Sequence, residues 1–203
     1  MSDNDIPARN VAVVLYDGFE LLDVFGPVEI LSVLPEHFQI TMVSAESGLI
    51  ASSQGTRVET THSLSGPEAD IVLVPGGIGW LTMVEDTDFL DQLRAYASGA
   101  KLVTSVCTGS AILAAAGLLD GYRATSNKRS FDHVAQYGKS VSWQRRARWV
   151  HDRDRWTSSG VSAGIDMTAA LIGDLVGEEL AQHAARVIEF EPHTDPHNDA
   201  FAD

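Results

Sequence analysis

Short apolar runs alternate with amphipathic segments along most of the chain. The apolar runs predict strands at 11–16, 38–45, 71–74 and 101–106. Apolar residues at helical spacing predict helices at 21–34, 88–96, 111–119, 162–175 and 178–190. Strands that alternate with helices are typical of an α/β domain with a mostly parallel sheet and helices on both faces.

Two segments depart from this alternation and predict antiparallel pairing. The stretch 47–64 is rich in Ser, Thr and Gly and predicts a small hairpin, and segments 145–150 and 156–159 flank a charged turn. Pro27 interrupts the first helical pattern, so we expect that helix to begin near Gly26-Pro27. The fold class predicted is a flavodoxin-like three-layer sandwich, α/β, with a small antiparallel hairpin.

The chain shows no repeat and no linker, so residues 1–203 are predicted to form one domain. Its core would span about 10–190, followed by a polar and mobile tail at 191–203.

Composition narrows the classes of function. The formal net charge of −14 argues against nucleic-acid binding, which depends on clustered basic residues. The single cysteine has no intramolecular disulfide partner, and the polar, acidic N-terminus lacks a signal-peptide pattern. No apolar run is long enough to cross a membrane. We therefore expect a cytoplasmic protein without membrane or nucleic-acid partners.

Cys107, the one cysteine, falls between a predicted strand and a predicted helix. A sharp turn there would project its side chain beside the positive end of a helix, which favours the thiolate and leaves amides free to bind an oxyanion. Small residues at Ser105, Gly109 and Ser110 allow such a turn, which resembles a nucleophile elbow. The alternative is a buried structural cysteine.

Three loops are expected to meet Cys107 at the carboxyl end of the sheet: 17–23, 75–79 and 107–110. Pro75-Gly76-Gly77 contains two residues free to turn their N–H groups toward a ligand, so it is a candidate second half of an oxyanion hole. Asp23 lies in an apolar context that should raise its pKa and let it share a proton with the thiol. Its alternative role is a helix N-cap.

Other residues offer weaker candidates. His62 or His133 would serve a Cys–His hydrolase only if the fold brought one of them to Cys107. His193 and His197 lie near acidic residues, but a solvated acidic tail is the favoured interpretation and no metal is predicted. Trp80 is a candidate for the mouth of the pocket.

In combination these motifs resemble the ThiJ/PfpI superfamily, which has the class I glutamine-amidotransferase-like fold. The resemblance covers 11–190 and rests on motifs in the family's order: Leu22-Asp23-Val24-Phe25-Gly26-Pro27, Val74-Pro75-Gly76-Gly77, Ser105-Val106-Cys107-Thr108-Gly109-Ser110, 115–121, Ala124-Thr125 and 162–166. Within the superfamily the chain is most similar to the isocyanide (isonitrile) hydratase branch.

The resemblance implies roles for the matching positions. Cys107 matches the reactive cysteine and Asp23 the acidic residue against it, while Thr108 follows the cysteine. The amides of Gly77 and Thr108 match a presumed anion pocket, with Gly76 in the same turn. Homodimers with the active site near the interface are usual in the family.

The chain also departs from the family's patterns. Thr108 stands where the protease-like branch has histidine, and Ser126-Asn127-Lys128 replaces the Thr-His-Trp typical of the hydratases. The leading hypothesis is cofactor-free hydration of an isocyanide to an N-substituted formamide, through a thioimidate on Cys107 with Asp23 as acid and base. Alternatives are a glyoxalase-like or deglycase-like enzyme acting on reactive carbonyls, a redox sensor using Cys107, and a ligand-binding module.

Overall fold

A seven-stranded sheet forms the centre of the computed structural model, which describes residues 7–202. The strands are β1 (Arg9–Val14), β2 (Phe38–Ser44), β3 (Gly48–Ala51), β4 (Arg57–Thr60), β5 (His62–Ser63), β6 (Ile71–Val74), β7 (Leu102–Ser105), β8 (Arg123–Ala124), β9 (Ser142–Trp143), β10 (Trp149–Asp152) and β11 (Arg155–Ser158). The sheet runs in the order β10-β11-β7-β6-β1-β2-β5, and its pairs are parallel except β10 with β11.

The helices cover this sheet. They are α1 (Leu21–Ser32), α2 (Trp80–Met83), α3 (Thr87–Ala97), α4 (Gly109–Ala115), α5 (Phe131–Val134), α6 (Ala163–Val176) and α7 (Glu178–Val187). All four residues of β6 and the last four of β1 are buried. Because neighbouring side chains in a strand point to opposite faces, both faces of the sheet are covered there. The predicted α/β fold is confirmed.

Both predicted antiparallel features are present. Strands β3 and β4 pair as a hairpin, and β10 pairs with β11 at the edge of the main sheet. The tip of the β3–β4 hairpin folds onto the loop that follows β1. There Gly18 N–H donates to the carbonyl of Ala51 at 2.7 Å, and Ser53 N–H donates to the carbonyl of Phe19 at 2.7 Å. The hairpin therefore becomes part of the carboxyl edge of the sheet.

The predicted start of α1 is wrong. The helix begins at Leu21, five residues before Gly26, and Pro27 lies inside it. Proline in a helix interior removes one backbone hydrogen bond, and packing of α1 against α6 offsets that loss. A Cβ added to Gly26 would lie 2.6 Å from Cγ1 of Ile165, so only glycine allows this close approach. Asp23 is consequently a residue of the first helical turn and not an N-cap.

The polar segment 191–202, predicted to be mobile, is held against the rest of the protein. The backbone N–H of Arg148 donates to the carbonyl of Pro196 at 2.8 Å, and that of Asp199 donates to the carbonyl of Arg146 at 2.8 Å. The N–H of His193 also donates to Asp166 at 2.8 Å. Among the helices of residues 7–202, none combines the length and apolar character needed to cross a bilayer.

Candidate active site

Cys107 lies at a strained turn between β7 and α4. Its φ of 58° is in the left-handed region, which costs a residue with a Cβ free energy. Hydrogen bonds stabilise this conformation: Cys107 N–H donates to Ser159 O at 3.0 Å, and the carbonyl of Cys107 accepts from the hydroxyls of Ser110 at 3.1 Å and Ser126 at 3.0 Å. The sharp turn predicted from the sequence is confirmed.

Asp23 is fully buried on the first turn of α1. Its Oδ2 accepts a hydrogen bond of 2.8 Å from Gly76 N–H, whereas its buried Oδ1 has no hydrogen-bond partner among residues 7–202. Burial raises the pKa of Asp23 to about 7. The Gly76 hydrogen bond opposes this rise, the charge of Glu20 adds to it, and hydrogen bonding with the nearby Cys107 thiol lowers the pKa. Near neutral pH this carboxyl group therefore exchanges its proton.

The Cys107 thiol is 7% exposed. Burial, and then the charge of Asp23, raise the pKa of Cys107 to about 12, against the opposing effects of the Thr108 and Val161 amides and the Thr108 hydroxyl. The expectation that the helix terminus favours the thiolate is therefore not met in the resting site, because desolvation and Asp23 outweigh it.

The turn after β6 contacts both Asp23 and Thr108, the residue that follows Cys107. Gly76 uses its N–H for Asp23 and its carbonyl to accept from Glu20 N–H at 2.8 Å. A Cβ at Gly76 would lie 2.6 Å from Thr108 Oγ1 and 2.8 Å from Asp23 Oδ2. Gly77, with φ of 125°, donates its N–H to Thr108 Oγ1 at 3.2 Å. Of the two glycines, Gly77 is the one beside the space next to the sulfur.

That space is a cavity of about 410 Å³. It is lined by Glu20, Ser53, Gly77, Ile78, Trp80, Cys107, Thr108, Asn127, Arg129, Ser130 and Val161. Its two charged groups differ in their contacts. Glu20 accepts a hydrogen bond of 2.5 Å from Gln54 Nε2, whereas Arg129 forms no ion pair within the described part of the chain.

The side chains of Ser126, Asn127 and Lys128, where the chain departs from the hydratase pattern, lie in different surroundings. Lys128 points away from the cavity, and its Nζ donates to Thr125 Oγ1 at 2.9 Å and to the carbonyl of Ala147 at 2.5 Å. Burial lowers the pKa of Lys128 to about 8. Ser126 supports the Cys107 carbonyl, so Asn127 alone of the three lines the cavity.

No histidine is among the residues that line this cavity. His133 packs against the ring of Trp80, with 4.8 Å between centroids, and His62 lies on the edge strand β5. Trp80 itself lines the cavity, where the sequence placed it. Within 7–202 there is no group of three or more His, Cys, Asp or Glu side chains arranged to hold a metal ion.

Sequence reasoning missed Val161 and Arg129. Val161 reaches the sulfur through its backbone N–H, which has no signature in the side-chain sequence. Arg129 follows the Ser126-Asn127-Lys128 segment directly, but only the fold shows that Asn127 and Arg129 line the cavity.

Comparison with known proteins identifies this arrangement. The model of the DJ-1/PfpI family matches residues 9–174. The chain belongs to the DJ-1/PfpI family. The resemblance stated from the sequence motifs is thereby confirmed, and in this family member Cys107, Asp23 and the 75–77 turn occupy one edge of the sheet.

Similar proteins include an enzyme and a regulator. An isonitrile hydratase from Pseudomonas putida is 36% identical over 186 residues, which are 91% of this chain and 80% of that protein. The HTH-type transcriptional regulator GbdR from Pseudomonas aeruginosa is 29% identical over 90% of this chain and 51% of its own length. A solved ThiJ/PfpI family protein from Pseudomonas syringae superposes with a TM-score of 0.84 and 31% identity, covering 93% of this chain and 77% of that one.

Proposed function

We propose that this DJ-1/PfpI family protein hydrates isocyanides to N-substituted formamides, using Cys107 as nucleophile and Asp23 as acid and base. The observation that carries the proposal is the buried carboxyl of Asp23, which has a pKa of about 7 and one oxygen without a partner among residues 7–202. Similarity to an isonitrile hydratase over most of both chains supports the same chemistry.

The first step adds the thiol across the isocyanide carbon. Asp23 accepts the proton of Cys107 as sulfur attacks the terminal carbon of R–N≡C, and a C–S bond forms. Asp23 then returns that proton to the same carbon, which gives the thioimidate R–N=CH–S–Cys107. Among residues 7–202 no donor reaches Asp23 Oδ1 in hydrogen-bond geometry in the free protein, and such contacts often tighten when substrate binds.

The second step consumes one water. The oxygen of this water attacks the thioimidate carbon while Asp23 accepts a proton from the water. Asp23 passes that proton to the nitrogen, giving R–NH–CH(OH)–S–Cys107. The C–S bond then breaks, the hydroxyl proton returns to the sulfur through Asp23, and R–NH–CHO leaves. No net proton is gained or lost, and neither a metal nor an organic cofactor enters the scheme.

Charge that develops beside Cys107 has three donors within reach. The N–H groups of Thr108 and Val161 and the Thr108 hydroxyl lower the pKa of Cys107 and so favour negative charge at this position. Gly77 N–H donates to Thr108 Oγ1 in the free protein and becomes available to substrate only if the Thr108 side chain changes its χ1 rotamer. Gly76 has a different part in this proposal: it positions Asp23 and does not bind substrate.

The test is formamide production from cyclohexyl isocyanide by the reduced protein, followed by chromatography. Cys107→Ala and Asp23→Asn should each abolish turnover, and the exposed Asp88→Asn on α3 is the matched control that should retain it. Absence of turnover by the intact protein would overturn the proposal. Methylglyoxal is assayed in parallel. Its turnover without turnover of the isocyanide would favour the alternative function, action on reactive carbonyls with the same pair of residues.

A redox-sensing role has less support, because peroxide reacts with exposed thiolates and Cys107 is a buried thiol with a raised pKa. Rapid oxidation of Cys107 by peroxide, with no turnover of isocyanide or methylglyoxal, would favour that role over the hydratase.

We also infer that the protein is a homodimer through the exposed face of α1. Leu22 and Phe25 on this helix are 44% and 39% exposed, on either side of the buried Asp23. Light scattering should give twice the chain mass of 21.9 kDa, and Phe25→Glu should lower it toward the monomer. A monomer at all concentrations of the unaltered protein would contradict the inference.

A further inference from the structure

A second cavity, of about 500 Å³, lies beside the β10–β11 hairpin. Three of its lining residues are arginines, namely Arg123, Arg145 and Arg146, and two are the histidines His151 and His197. Within residues 7–202, no Asp or Glu lines it. This cavity shares no residue with the one beside Cys107.

This concentration of positive charge contrasts with the composition of the chain. The formal net charge is −14, yet nine of the fourteen Lys and Arg residues fall between 123 and 155. Only three of the 28 acidic residues fall in the same segment. Three of these basic residues line this cavity, whereas Arg129 lines the Cys107 cavity and Arg148 is buried in an ion pair with Asp166. An anion is repelled by the net charge of the protein and attracted to the cavities that hold these arginines.

Neighbouring carboxylates neutralise the arginines only in part. Arg145 pairs with Asp132 in an exposed ion pair, and Arg123 lies 3.9 Å from Asp152, which is also paired with Arg153. Arg146 forms no ion pair with any residue in the range 7–202. Its guanidinium is therefore available to a ligand.

The rest of the lining is aromatic and apolar. Trp143, Trp149 and Trp156 contribute to the wall, and His151 stacks on Trp156 with 4.0 Å between ring centroids. The indole N–H groups of Trp143 and Trp156 are buried and have no acceptor in the described part of the chain. Buried donors without an acceptor are uncommon, and an oxygen supplied by a ligand would satisfy one of them.

We propose that this cavity binds a small aromatic carboxylate. Arginine recognises carboxylates through paired hydrogen bonds and also stacks on aromatic rings, while the tryptophan walls accommodate a planar apolar body. The volume suits a ligand of one or two rings. The lining residues of this cavity are distinct from those of the Cys107 cavity, although Trp149 and Trp156 belong to the same buried apolar cluster as Cys107.

The experiment titrates 2-naphthoate into the full chain and measures heat by calorimetry, with uncharged 2-naphthamide as the matched ligand. Naphthoate should bind at least tenfold more tightly than naphthamide. Arg146→Gln should weaken naphthoate binding about tenfold, as expected for one charge-assisted hydrogen bond. Arg57→Gln, an exposed arginine on β4, is the control that should leave binding unchanged, and formamide production should be the same in all three proteins.

Three results would overturn the proposal. The first is equal affinity for naphthoate and naphthamide. The second is equal affinity for inorganic phosphate and naphthoate, which would indicate a surface that attracts any anion. The third is binding that is lost in Arg129→Gln and kept in Arg146→Gln, which would place the anion in the Cys107 cavity. Because binding is measured directly, these outcomes do not depend on whether the protein hydrates isocyanides.

Discussion

Gly76 N–H donates to Asp23 Oδ2 at 2.8 Å, and this hydrogen bond fixes the carboxyl group with its other oxygen free of partners within 7–202. A backbone donor cannot change its protonation state, so it holds Asp23 in place whether the acid is charged or neutral. The same hydrogen bond favours the carboxylate and opposes the rise in the pKa of Asp23 that burial causes.

The pH dependence of turnover should follow Asp23. Below pH about 7 both Asp23 and Cys107 hold a proton, and no base is present to accept the thiol proton. Above that pH the carboxylate is available, so kcat/KM for cyclohexyl isocyanide should rise through pH about 7 and level off. Rates measured between pH 5.5 and 9 that instead fall as pH rises would contradict the assigned base role.

The free energy of unfolding should change with pH in the direction opposite to kcat/KM. The pKa of Asp23 is raised to about 7 in the folded protein, so between its ordinary value of 3.8 and about 7 the folded state holds a proton that the unfolded state has lost. The free energy of unfolding contributed by this site therefore falls as pH rises across that range. Above about pH 7 the loss is complete.

Urea unfolding of the unaltered protein and of Asp23→Asn at pH 5 and pH 8 measures this effect. The carboxamide does not titrate, so the stability of the unaltered protein relative to the variant should be lower at pH 8 than at pH 5. A difference that stays constant or grows with pH would mean that Asp23 is not desolvated in solution.

Gly76→Ala should damage the site selectively. The added Cβ would lie 2.6 Å from Thr108 Oγ1 and 2.8 Å from Asp23 Oδ2, so the acid and the threonine must move apart. Displacement of a reacting group by about 1 Å costs roughly 100-fold in rate, and we expect a loss of kcat/KM of about that size.

Gly99→Ala is the matched control for this substitution. Gly99 has an ordinary φ, and a Cβ there would lie 4.0 Å from the nearest atom, the carbonyl oxygen of Tyr96. Activity and urea midpoint should therefore be nearly unchanged. Equal activity in the two alanine variants would show that the Gly76 turn does not position the site.

Arg129 should influence which isocyanides are preferred. It is the one basic residue lining the Cys107 cavity, and it forms no ion pair with the residues of 7–202. Arg129→Gln should raise KM for isocyanoacetate about tenfold while leaving KM for methyl isocyanoacetate almost unchanged. Equal changes for acid and ester would indicate that Arg129 acts on the shape of the loop and not on substrate charge.

The sequence predicted the parts of the site that depend on chain-local signals. Strand runs ending in Pro75-Gly76-Gly77 and at Cys107 identify the two turns, because residues with unusual backbone freedom or reactive side chains mark them directly. Cys107, Asp23, Thr108, Gly76 and Gly77 are all at one edge of the sheet. Their catalytic roles remain predictions.

What the sequence did not provide depends on contacts between distant segments. The start of α1 was misjudged because the cost of Pro27 in a helix is local, whereas the packing of Gly26 against Ile165 that offsets it is not. The protonation of Cys107 was misjudged for the same reason. A helix terminus lowers a thiol pKa, but burial and the charge of Asp23 act from other parts of the fold.

The β3–β4 hairpin has a consequence for how the substrate range can change. Its tip supplies Ser53 to the cavity, and Ser53 Oγ donates to Gly18 O at 2.6 Å. Gln54, the next residue, accepts from Leu21 N–H at 3.4 Å and so contacts the start of α1, the helix that carries Asp23. Exchanges at Ser53 would therefore change the entrance of the cavity without removing a hydrogen bond that Asp23 or Cys107 makes among residues 7–202. Evolution of the hairpin tip can therefore alter which substrates enter the cavity, while Cys107 and Asp23 keep their positions.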